Sequence, residues 1–190
     1  KFKYSPKDSS IEFMDDGIAK ISVKDGKILF NKSIAQIFYQ NGYLSEILGK
    51  LGYYSSDPIH LNDIQPVLSD GKYWKKGDLF LSLRNLSMII LYRPENNKIL
   101  KILTGPFINQ HDVDIISDNE IGIFNNNAFN TVVGRLQYDQ LQLYDYSNII
   151  IYNFEKNEFV EMHSDILKKI KLKTETQGLF EILPDKSVLI

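Results

Sequence analysis

Cysteine is absent from this chain of 190 residues. Its absence excludes disulfides, thiolate nucleophiles and Cys-ligated zinc, and leaves the redox compartment open. Neither sign of charge is in excess: 22 Lys and Arg stand against 24 Asp and Glu, scattered along the chain, for a formal net charge of -2. Such a surface gives no electrostatic reason to expect nucleic acid or an anionic membrane as partner. No apolar run approaches the ~20 residues that a membrane-spanning helix needs. Also missing are a Walker loop, a Gly-rich dinucleotide fingerprint, a His-Glu-x-x-His zinc motif and a nucleophile elbow. No metal and no cofactor are therefore expected. The sequence opens at Lys1 with no signal peptide, and Ser187-Val188-Leu189-Ile190 reads as a strand stopped midway, so further residues are expected.

What the chain does have is apolar content, at 43 % enough for a sizeable core. One segment reads as helical. From Ser33, apolar residues at Ile34, Ile37, Phe38, Leu44, Ile47, Leu48 and Leu51 follow the 3.6-residue period. Ser33 with Gln36 resembles a capping box, and Asn41-Gly42 divides the segment into two short helices over residues 33–51.

Nearly everything else reads as short strands. His60 to Val67, the alternating Asp78 to Arg84, the continuous apolar Ser87 to Tyr92, and Ile99 to Leu103 after the Arg93–Asn97 turn make four antiparallel strands over 60–104. A second set over 111–163 comprises a hairpin from His111 to Phe124 around Ser117–Glu120, then strands at Leu141 to Tyr144, Ile149 to Phe154 and Phe159 to Met162. A third opens at Gln177 to Leu183, turns at Pro184-Asp185-Lys186 and fills 177–190. Ile11 to Met14, Ile18 to Val23 and Lys27 to Phe30 fit outer strands of a preceding set within 1–30.

The sets repeat in sequence: His60-Leu61-Asn62-Asp63-Ile64 and His111-Asp112-Val113-Asp114-Ile115 share His, two residues, Asp, Ile. Gln177 occupies the histidine position of the third set. The expected fold is all-β, one propeller domain of four-stranded antiparallel blades with the helical insertion. A ring needs at least four blades, so the rest is expected from further residues or from another copy of the chain.

In a propeller the first strand of each blade lies nearest the axis, so its polar residues converge on one small ligand. The first set offers His60, Asn62 and Asp63, with Ser82, Arg84 and Asn85 one strand on; the second offers Gln110, His111, Asp112 and Asp114, then Asn125, Asn126 and Asn127, and Arg135. Imidazole serves as nucleophile or acid-base, and guanidinium as a fork for sulfate, phosphate or carboxylate. Two His and two Arg at a channel mouth would stabilise charge on a transferred group. The competing readings are that His-x-x-Asp ties down a strand end and that the Asn run forms turns. Asp112 and Asp114 find no acid opposite them by strand alternation, which gives glycosidase chemistry little support. His163 has no repeat partner and reads as a surface residue.

His60 to Val67, Gly77 to Asn85, Gly105-Pro106-Phe107, Gln110 to Asp114 and Ile123 to Asn127 together resemble the arylsulfotransferase-like propellers, from about Lys27 onward. The resemblance implies a periplasmic or secreted protein that moves a sulfuryl group from a phenolic sulfate to a phenol. It implies no nucleotide sulfate donor, and transfer through a sulfated histidine. His60 and His111 would be the catalytic histidines, with Arg84 or Arg135 on the sulfate oxygens and Asn62, Asp63, Asp112 and Asn126 completing the substrate site. Gln177 departs from the pattern, since an amide is neither nucleophile nor proton shuttle. The alternative class is a non-catalytic propeller that binds a small anion or saccharide, or serves as an interaction platform. Ester hydrolysis, with water replacing the phenol, is a third reading.

Overall fold

The computed structural model describes residues 2–4, 11–50, 55–133, 137–142 and 145–190. They form a mostly β structure of antiparallel sheets with few helices. Strand β1 (Phe2–Tyr4) pairs with β2 (Ile11–Phe13), and β3 (Gly17–Ile21) with β4 (Ile28–Ser33). Helices α1 (Ile34–Gln40) and α2 (Leu44–Gly49) follow, where the apolar period places them; Leu51 lies outside the described residues.

The entry to α1 shows how local chemistry sets an element. The Gln36 N–H donates to Ser33 Oγ at 3.0 Å, as an N-cap requires. Asp15, rather than the Gln36 side chain, supplies the second half of the cap: it accepts from Ser33 Oγ and, at 3.0 Å, from the Ala35 N–H. The acceptor comes from across the β3–β4 ribbon, so the helix start and the ribbon are fixed together.

The first four-stranded sheet is a meander of β5 (Leu61–Pro66), β6 (Leu79–Leu83), β7 (Met88–Arg93) and β8 (Lys98–Leu103) in that order. Both faces of its middle strands are buried. Leu81, Leu83, Met88, Ile90 and Tyr92 pack with α1 on one side, whereas Phe80, Ile89 and Leu91 pack on the other against the second sheet. The alternation of Asp78 to Arg84 and the unbroken apolar run of β7 are the sequence forms of this sandwiching.

The second sheet has the order β9 (Asp112–Ser117), β10 (Glu120–Asn125), β13 (Asn148–Asn153), β14 (Glu158–Met162). Between its second and third strands the chain makes a separate ribbon, β11 (Ala128–Val133) with β12 (Gln137–Gln142). The segment expected as a third strand at Leu141 to Tyr144 is thus corrected. Leu141 pairs with Phe129 in the ribbon, Leu143 and Tyr144 lie outside the described residues, and β13 takes the place beside β10. The physical reason is composition. Asn148-Ile149-Ile150-Ile151-Tyr152-Asn153 can be covered on both faces, whereas Gln137-Tyr138-Asp139-Gln140-Leu141-Gln142 is too polar for an interior strand.

Helix α3 (Ser164–Ile170) leads to β15 (Glu181–Ile182) and β16 (Val188–Leu189), paired across the Pro184–Lys186 turn. The third set is shorter than expected because Gln177 and Gly178, at φ of 65° and 109°, are not extended. Gly178 is required there for a second reason: a Cβ would come within 2.3 Å of the Phe124 ring.

Two devices recur from sheet to sheet. Tyr92 donates to Asn97 Oδ1 at 2.9 Å and Tyr152 to Asn157 Oδ1 at 2.7 Å, each Asn left-handed at the turn between third and fourth strands. Carboxylates also bridge consecutive sheets. Asp16 accepts from the Leu61 N–H at 2.8 Å, Asp63 from Val113 at 3.1 Å, and Asp112 from Phe180 at 3.0 Å.

Candidate functional site

β6 ends in the 3₁₀ turn Arg84–Leu86, and the N–H of Arg84 donates to the His60 carbonyl at 2.9 Å, which brings the start of β5 to the end of β6. His60 is left-handed at φ 54°, and its Nδ1 lies 2.6 Å from Asp57 Oδ2. Its side chain is 45 % exposed, so the ring reaches solvent. Arg84 is buried, and its Nη1 donates to Asn85 Oδ1 at 2.9 Å. Among the described residues no carboxylate makes an ion pair with it, which leaves guanidinium N–H groups for an anion. Burial lowers the Arg84 pKa against the attraction of Asp57, and a guanidinium stays cationic at neutral pH all the same.

His111 enters β9 in the same way. Its N–H donates to the Phe124 carbonyl at 3.1 Å, and its half-buried Nδ1 lies 2.7 Å from Asn126 Oδ1 and 3.2 Å from the Asn109 carbonyl. A backbone carbonyl can only accept, so Nδ1 carries the proton and Nε2 the lone pair. Burial lowers the His111 pKa, with the Arg84 cation and His60 adding to the effect and the bonds to Asn126 and Asn109 opposing it. The imidazole is therefore held neutral at neutral pH. The Arg84 N–H bond to the His60 carbonyl, and the Asn62 bond to the Gln110 carbonyl beside His111, bring the two histidines and the buried arginine into one locality.

The remaining expected residues divide. Asn62, beside an irregularity in the β5–β6 pairing, donates to the Gln110 carbonyl at 2.7 Å, next in sequence to His111, and its Oδ1 is buried without a protein partner. Asp63 and Asp112 each commit an oxygen to a backbone N–H of the next sheet, and neither is among the charges His111 feels. Arg135 lies outside the described residues. Of the Asn run, Asn125 and Asn127 belong to a buried network with Asn148: Asn125 Nδ2 donates to Asn127 Oδ1 at 2.7 Å and to Asn148 Oδ1 at 2.8 Å. Only Asn126 reaches a histidine.

Asp57 and Asn109 escaped the sequence reading. Asp57 sits in the loop ahead of β5, three residues from His60, and Asn109 acts through its carbonyl, which no side-chain pattern reveals. Across the β9–β10 ladder Asp112 faces Phe124 and Asp114 faces Gly122, so no acid stands opposite either in the sheet. Burial, and then the carboxylates Asp63 and Glu181 of neighbouring sheets, raise both. Among the described residues no group of three or more His, Asp or Glu is placed to hold a metal ion, and no helix is long and apolar enough to cross a membrane. An apolar cleft of about 650 Å³ lined by Ile18, Phe30, Ile64, Val67 and Leu79 lies toward the far end of β5 from His60 and contains none of these polar residues.

The site holds a half-buried imidazole, a buried guanidinium and a second, partly exposed histidine. The model of the arylsulfotransferase (ASST) family matches residues 4–190. The chain belongs to that family. No curated protein and no solved structure matches it.

Proposed function

We propose that the chain is part of a β-propeller that moves a sulfuryl group from an aryl sulfate to a phenol through His111. The placement of β5 beside β9, and the repeated carboxylate bridges between consecutive sheets, support reading the sheets as blades about a common axis. The observation that carries the chemistry is His111 itself, protonated at Nδ1 and kept neutral beside Arg84.

In the first half-reaction Nε2 attacks sulfur and the sulfur–oxygen bond to the aryl group breaks, its electron pair leaving on the phenolate. His60, oriented through Nδ1 by Asp57, gives that oxygen a proton. In the second, an acceptor phenol attacks sulfur, returns its proton to His60, and the nitrogen–sulfur bond breaks to restore Nε2. Arg84 offers its remaining guanidinium N–H groups to the sulfate oxygens in both steps.

Turnover of a chromogenic aryl sulfate should depend on added phenol and fall by about 10³-fold or more in His111→Ala. His60→Ala should fall by about 10²-fold, with the smaller loss for substrates whose phenolate leaves without help. Release that ignores phenol would make the protein a hydrolase. No turnover by an intact protein that still binds sulfate would favour a binding propeller.

A further inference from the structure

Asn126 is fully buried and uses both ends of its amide. Oδ1 faces His111 Nδ1 at 2.7 Å, while Nδ2 donates to the carbonyls of Thr174 at 3.1 Å and Gln177 at 2.7 Å. The two carbonyls fix which way the amide points, because only the NH₂ group can donate to them. They belong to the stretch 172–180, which is itself tied to the second sheet at several points. The Ser147 N–H donates to the Leu172 carbonyl at 2.6 Å, Ser147 Oγ accepts from the Thr174 N–H at 3.1 Å, and the Phe180 N–H donates to Asp112. The left-handed backbone at Gln177 presents its carbonyl rather than its side chain to Asn126. The residue standing where a third histidine was sought thus makes its contact to the site through its main chain.

We propose that Asn126 is a positioning residue for His111 rather than a substrate ligand, and that stretch 172–180, acting through Asn126, sets which imidazole nitrogen is free. The inference rests on the reading of His111 as nucleophile, and it names what regulates that site: the seating of the strand pair that follows. With the stretch seated, Nδ1 is held as the donor and Nε2 is left for sulfur. With it displaced, the amide is free to turn and present its NH₂ group to Nδ1, and the longer contact to the Asn109 carbonyl at 3.2 Å is left to hold the ring alone. The ring then rotates or changes tautomer, so the nucleophile is lost although every catalytic side chain remains.

The test is nitrogen NMR of the ¹⁵N-histidine-labelled full chain, on wild type, Asn126→Asp and Asn126→Ser, with thermal melts to confirm folding. Wild type should show His111 protonated at Nδ1 and bare at Nε2. Asn126→Asp preserves shape but turns a carboxylate toward two carbonyls and places a negative charge beside the ring. The His111 titration midpoint should rise by about one pH unit or more. Asn126→Ser should give a mixture of tautomers. On the aryl sulfate and phenol pair, both variants should lower kcat about 10- to 100-fold with KM little changed, the pattern of a group that orients another. A wild-type His111 protonated at Nε2, or variants with unaltered tautomer and titration, would overturn the proposal. The spectra require no turnover, so an inactive wild type would defeat the sulfuryl-transfer reading while leaving this one tested.

Discussion

Asp112 and Asp114 share one face of β9, and the structure crowds them. Burial, chiefly, and the nearby Asp63 and Glu181 carboxylates push Asp112 up to about 6; burial, then Asp112, Glu181 and Asp63, push Asp114 up to about 7. Both lie above the ordinary value of 3.8, so between those pH values the folded state binds protons that the unfolded chain has released. Stability from this pair is therefore full below pH 4, declines as pH rises from about 4 to about 7, and is flat beyond. Asp114→Asn should remove much of that slope. Discounted for partial exposure, the variant should be more stable than wild type by on the order of 1 kcal/mol at pH 8 and indistinguishable near pH 3, as urea midpoints across pH would show. The residue scale also shows why three consecutive asparagines are not one motif. Asn125 and Asn127 join the buried network with Asn148, whereas Asn126, just past the end of β10, meets His111. The sequence displayed the run and the repeat spacing that made His60 and His111 stand out. It could not display which asparagine met the histidine, because the partners that decide this are the carbonyls of Thr174 and Gln177, 48 and 51 residues further on.

Among elements, the turn between β5 and β6 is held by a buried carboxylate and a partly exposed arginine. Asp78, 2 % exposed, receives Arg93 Nε and Nη2 at 2.7 Å each and the Lys75 N–H at 2.8 Å, joining the start of β6 to the end of β7. Asp78→Ala would remove the fork partner of a partly exposed guanidinium and the acceptor of the Lys75 N–H, and should cost about 1–3 kcal/mol by chemical denaturation with little effect on the site at the other end of the strand. Strand positions in the first sheet were legible because alternation and unbroken apolar runs are imposed by burial, which the chain must encode in each strand itself. The β11–β12 ribbon was not. Nothing local separates a polar strand inserted between sheets from a polar strand at a sheet edge, and the choice was made by β13 competing for the side of β10. The Asp15 contribution to the α1 cap was hidden for the same reason, its partner lying across a ribbon.

Across the whole molecule the repeat is physical as well as sequential. Sheets stack through alternating faces: one core cluster joins α1 to the first sheet, a second joins the two four-stranded sheets, and a third joins Phe124 and Ile149 to Phe180. The tie between the four-stranded sheets is testable on its own. Asp63→Ala should lose the bond to the Val113 N–H, cost about 1–2 kcal/mol and speed hydrogen exchange at that amide, whereas Asp63→Asn, which still offers an acceptor oxygen, should leave exchange slow. The family and the mostly β character were legible because both depend on short patterns. The bridges were not, because the matching aspartates fall at different offsets from their histidines, three after His60 and one after His111.

Those bridges also have a direction. In each the acceptor, at Asp16, Asp63 or Asp112, belongs to the earlier sheet and the donor, at Leu61, Val113 or Phe180, to the later one. On a ribosome every carboxylate is thus made before the amide it will grip. Each fastening is in place before the segment that it will hold has been made, and the molecule can assemble in the order in which it is synthesised.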